Sequence, residues 1–91
     1  MNMEAKRETL IEFPLRFPIK VMGEMQDTFS QTIFDVVRGH APDITETDIE
    51  LRASSGGKYV SVTVTINAVS QEQLDNLYRE LTSHPLVKYV L

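Results

Sequence analysis

Ninety-one residues, 42% of them hydrophobic, suit one small domain with one core, since a chain of this length buries roughly 60–65% of the surface it exposes when unfolded. Thirteen acids against nine bases leave a formal charge of -4, which opposes the broad electrostatic attraction that drives most nucleic-acid binding. The lack of cysteine removes disulfides, thiolate nucleophiles and sulfur-ligated metals, and no apolar run approaches the ~18 residues of a membrane span, so a cytoplasmic protein with no membrane contact is expected.

Residues 1–12 mix acids (Glu4, Glu8, Glu12) with bases (Lys6, Arg7) and read as a flexible arm, leaving 13–91 as the domain. Pro14 and Pro18 lack backbone donors, which confines the expected first strand to Ile19–Gly23. From Asp27 the period changes. Phe29, Ile33, Val36 and Val37 share one face of a helix that Asp27 or Thr28 can cap and that Gly39 and Pro42 end.

Ile49, Leu51 and Ala53 alternate with Glu50 and Arg52, the period of a half-buried strand. "SSGG" (Ser54–Gly57) is a turn. Beyond it Val60, Val62, Val64 and Ile66 point one way, and Tyr59, Ser61, Thr63, Thr65 and Asn67 the other. The pair is an antiparallel hairpin with one apolar face. Ser70 and Gln73 form an S-x-x-Q capping box ahead of a stripe of Leu74, Leu77, Tyr78 and Leu81. Pro85 ends this second helix, and "LVKYVL" closes the chain as a strand.

The order β-α-β-β-α-β defines an α+β, ferredoxin-like sandwich: a four-stranded antiparallel sheet in the order 4-1-3-2 with both helices on one face. With the apolar sets turned to the helices, the open face is expected to carry Lys20, Met22, Glu50, Arg52, Tyr59, Ser61, Thr63, Thr65, Leu86, Lys88 and Val90.

Four stretches together resemble one known group: "EFPLRFPIKVMG", "RGHAPD", "SSGGKYVSVTVTINA" and "EQLDNLYRELTSHPLVKYVL". They are similar to the YbeD-like family of small, uncharacterised bacterial proteins, over nearly the whole chain after residue 10. The resemblance implies a fold like that of ACT domains, regulatory modules that often dimerise and bind small effectors such as amino acids. Members are sometimes labelled lipoate regulatory proteins, which implies a link to lipoate metabolism by label alone. The family supplies no catalytic residues to carry over. At the hairpin turn, where it often has a basic residue, this chain runs Ser55–Gly56–Gly57, with Lys58 as a partial replacement.

An RNA-stacking strand needs several aromatic faces and a basic setting. The central strand offers only Tyr59. A protein partner fits better, with Lys20, Arg52 and Lys88 steering and Met22, Tyr59, Leu86 and Val90 burying apolar surface; a second copy of the sheet is the other candidate for that face. A small effector is the alternative, held by Met22, Gly23, Gln26 and Asp27 where the first strand meets the first helix, although Glu24 and Asp27 would repel an anion there. His40 and His84 follow helix ends and are expected at the same end of the domain, with Asp43 as the only further ligand within reach, so no metal and no cofactor are expected. Ser54 and Ser55 have no nearby base, and the carboxylates form no pair in a cleft. The expectation is a non-enzymatic regulatory or adaptor domain.

Overall fold

A computed structural model of the chain describes residues 12–91. The expected arm therefore lies outside the described residues, apart from Glu12. Six main elements follow in chain order: β1 (Leu15–Glu24), α1 (Phe29–His40), β2 (Ile49–Ala53), β3 (Tyr59–Ala68), α2 (Gln71–Ser83) and β4 (Val87–Val90), with a 3-10 turn at Glu46–Asp48 before β2. The sheet runs β2-β3-β1-β4 and all its neighbours are antiparallel. This is the expected ferredoxin-like architecture.

Both central strands alternate strictly. Ile19 and Val21 on β1 face Val64 and Val62 on β3, and all four are fully buried beneath the helices. Phe29, Ile33 and Val37 of α1 and Leu74, Leu77 and Leu81 of α2 close the core from above, at the helical spacing their sequence prescribes. Burial of such side chains contributes about 1.5–3 kcal/mol each before entropy is subtracted.

β1 begins earlier than its prolines suggested, at Leu15, and pairs with β3 along its whole length. The reason lies in which edge each backbone group faces. Lys20 exchanges both of its backbone hydrogen bonds with Leu91, so Pro18, two residues earlier, turns its missing donor to the same side, where β4 has already ended. Gly23 does not end β1 either. It is buried within the strand, and a methyl group there would overlap the Phe29 ring and come within 2.6 Å of the Leu86 carbonyl oxygen. Close packing requires this glycine.

The helix ends also differ in part from expectation. Thr28 stands at the N-cap of α1, but its hydroxyl makes no bond to the helix and lies 3.5 Å from Gln26 Oε1. Gly39 sits inside α1, which closes at Ala41 by a bond to Val37. At α2 the Ser70 hydroxyl accepts from the Gln73 amide at 3.0 Å, as expected. The Gln73 side chain accepts from the Val69 amide (2.7 Å), one residue before the cap, and donates to the His40 carbonyl at 2.9 Å. Gln73 thus ties the start of α2 to the end of α1.

That bond corrects the placing of the histidines. Each helix runs back along the strand before it, and β1 and β3 are antiparallel, so the helices are antiparallel too. His40 ends α1 beside the start of α2, with Nε2 2.6 Å from Glu80 Oε1, while His84 lies at the far end of α2, where its Nδ1 accepts from the Leu86 amide.

Candidate functional site

The helices leave one face of the sheet open, and the strand register sets the order of its side chains. One row reads Arg52, Ser61, Met22, Tyr89; the next reads Glu50, Thr63, Lys20, Leu91. Tyr59 stands opposite Glu24 at one end. Tyr59 and Tyr89 are 43% and 52% exposed, a large share for rings held on a sheet. Ser61, beneath its longer neighbours, is buried and donates to the Arg52 carbonyl at 3.4 Å.

Of the predicted partner-binding residues, Lys20, Met22, Arg52 and Tyr59 fall on this face together. Leu86 and Val90 do not. Val90 pairs with the fully buried Val21, and both it and Leu86 pack toward the core. The cause is a bulge: Val87 opposes Gly23 and Tyr89 opposes Met22, leaving Lys88 as an extra residue. The bulge accounts for Val90, because one extra residue exchanges the faces of all that follow, whereas Leu86 precedes β4 and is not held to the alternation of the strand. Beyond the bulge Tyr89 and Leu91, and not Val90, stand on the open face, opposite Met22 and Lys20. No glycine or proline in "LVKYVL" marks the bulge.

Lys88 itself turns to the end of the sheet, where its Nζ lies 3.6 Å from Glu24 Oε2. Both groups are well exposed, so the pair contributes little to stability. Among the described residues neither Lys20 nor Arg52 has an ion-pair partner.

The predicted effector residues do not converge. Met22 belongs to the open face, the space beside Gly23 is filled by Phe29, and Gln26 and Asp27 are exposed in the connection to α1. A different concavity exists on the helix side. Leu15, Phe17, Leu74 and Tyr78 line a groove of about 660 Å3 with Glu12, Gln71 and Asp75 around them. Burial pushes the Tyr78 phenol up from its ordinary pKa. Sequence periodicity assigned Leu74 and Tyr78 to the core stripe and gave no sign of a groove.

At the same end of the sheet as this groove, around Arg16, a polar network joins β1, β3 and the segment before β2. Arg16 donates to Asp48 at 2.9 Å and to Asn67 at 3.0 Å, and Asn67 donates to Asp43 at 2.7 Å. The Thr45 backbone amide and the Arg16 guanidinium hold the Asp48 carboxyl below its ordinary pKa of 3.8. Among the described residues no cluster of three histidine or acidic side chains is arranged to hold a metal, and no helix is long and apolar enough to cross a membrane.

These features define an α+β domain with a ferredoxin-like, ACT-like fold. The solved ACT domain from the GTP pyrophosphokinase of Chlorobium tepidum superposes on 85% of this chain and 97% of its own, with a TM-score of 0.56 at 17% identity, a likeness of fold. Within that class the chain belongs to the family described as "Protein of unknown function (DUF493)", whose model matches residues 8–91. It is 62% identical to a UPF0250 protein of Janthinobacterium sp. (strain Marseille), covering 92% of each chain. A UPF0250 protein of Chromobacterium violaceum is 55% identical, over 98% of this chain and all of its own. The family read from the sequence is thus the right one.

Proposed function

We propose that this chain is a non-enzymatic regulatory or adaptor domain that binds a protein partner through the open face of its sheet. The observation that carries the reading is the pair of half-exposed tyrosines, Tyr59 and Tyr89, flanking Met22 on a rigid sheet. Large aromatic side chains held in place contribute area at low entropic cost, which is why they recur at interface anchors. Lys20 and Arg52 beside them favour an acidic partner surface, in a chain that is acidic as a whole. The same negative charge works against nucleic acid, despite the second ring that Tyr89 adds.

The test compares the full chain with a folded Lys20→Glu, Tyr89→Ala variant and with an Asp35→Lys control on α1, each used as bait for interacting proteins. A specific partner held by the wild type and the control, and lost by the open-face variant, is the expected result. Equal capture by all three would sink the reading.

The apolar groove between β1 and α2 favours a second reading, a sensor for a small effector with an apolar body. An effector at 100 times its dissociation constant raises stability by about 2.7 kcal/mol. That gain should vanish in Leu74→Lys; a gain that persists there places the ligand elsewhere.

A further inference from the structure

The sheet is narrower at one end than at the other. The last pairing between β1 and β4 is that of Lys20 with Leu91, so β1 from Leu15 to Pro18 has β3 on one side and, among the described residues, no strand on the other. The helix that precedes β4 is longer than β4 itself. Thirteen helical residues span about 20 Å and four strand residues about 13 Å, so the first turns of α2 overhang the place that a longer β4 would fill.

That place is the groove between β1 and α2. Leu15 and Phe17 line it from the strand and Leu74 and Tyr78 from the helix, while Glu12, Gln71 and Asp75 surround them. Gln71 donates to Asp75 at 3.0 Å, and among the described residues no basic side chain lines the opening. The complement of such a groove is an apolar body with positive charge beside it. The backbone of Arg16 faces the same vacancy, because it has the parity of Lys20, whose N–H and C=O point to the β4 side.

The chain carries such a segment and delivers it to this point. Glu12, which lines the groove, is preceded directly by Leu10 and Ile11, the only adjacent apolar pair among residues 1–12. Consecutive Cα atoms are about 3.8 Å apart, so this pair is within immediate reach of the groove. Lys6 and Arg7 follow farther out and supply the positive charge. A covalently attached segment also meets its site at high effective concentration, an advantage over any separate molecule that competes for it.

We propose that the segment before Glu12 docks in the groove between β1 and α2, with Leu10 and Ile11 on its apolar lining and Lys6 and Arg7 against its carboxylates. It is a strap that closes the sheet where β4 stops short. The open face stays free for the partner assigned to it above, and an effector that enters the groove must displace the strap. The proposal therefore depends on neither reading.

Two measurements on the full chain test it. Nuclear Overhauser contacts are expected from the Leu10 and Ile11 methyl groups to Leu15, Leu74 and the Tyr78 ring. Trypsin cleavage after Arg7 should become about tenfold faster or more in a Leu10→Ser, Ile11→Ser variant, because cleavage follows the fraction of molecules in which the segment has left its site. Both substitutions precede the domain, so its core stays intact and its Ile19, Val21 and Val62 methyl signals should not move. Tyr89→Ser, on the open face, should leave the cleavage rate as it is. Contacts to Tyr59 or Tyr89 in place of the groove, or faster cleavage in Tyr89→Ser, would put the segment on the open face and overturn the proposal. The absence of any contact, or an unchanged cleavage rate in the double variant, would overturn it equally.

Discussion

The two faces of the sheet share one backbone and have opposite properties. On β3 the covered face carries Val60, Val62, Val64, Ile66 and Ala68, all nearly or completely buried, while the open face carries Tyr59, Thr63, Thr65 and Asn67, which keep contact with solvent. Successive residues along one strand thus stand in opposite environments. Residues that hold the fold are out of a partner's reach, and those within reach are free to vary at little cost.

Substitutions on the two faces sharpen that contrast. The largest effect is expected on the covered side, where Phe29→Ala removes a ring packed against Gly23 and the core and should cost about 3–5 kcal/mol in denaturant unfolding. A loss below about 1 kcal/mol would mean that the helices are loosely seated on the sheet. The polar rim comes next. Asp48 has a lowered folded-state pKa, so its stabilisation is fully present above its unfolded-state pKa and fades as pH falls through the lower folded-state value. Asp48→Asn should therefore lower stability near neutrality and flatten the acid limb of the stability profile. A profile that keeps its acid slope would show the network with Arg16 to be energetically idle. The smallest effect is expected on the open face: Tyr89→Ala should shift unfolding by less than about 0.5 kcal/mol. A large loss there would show that the ring supports the sheet.

Legibility from sequence depended on whether an element keeps its periodic pattern without a proline, a bulge or an uncovered edge to interrupt it. β3 and α2 were readable because each has one buried side over its full length, so that the period of 2 or 3.6 appears without interruption. β2 reads as half-buried, yet only Ile49 is partly covered, since the helices lie over β1 and β3 and reach the edge strand at one end. β4 was placed correctly as a strand and as the neighbour of β1, but the bulge at Lys88 inverted its last residues. The candidate site inherits those errors in proportion. Lys20, Met22, Arg52 and Tyr59, before the bulge, were found on the open face; Tyr89 and Leu91, beyond it, were missed. Gly23 was noticed for a sound reason, close backbone approach, but what approaches is the Phe29 ring and not a ligand.

The longest ladder of the sheet also bears on how fast the chain can find its fold. β1 pairs with β3 over all ten positions, but α1 and β2 intervene between them in sequence, whereas the β2–β3 hairpin and α2 need only their own neighbours. Closing so long a loop loses entropy before any contact compensates for it, which places the central pairing at the kinetic bottleneck. Val62, in the middle of that ladder, is expected to govern the rate of folding, and Leu51, out on the edge, to leave it nearly unchanged. The backbone that gives the domain its core is thus also its clock.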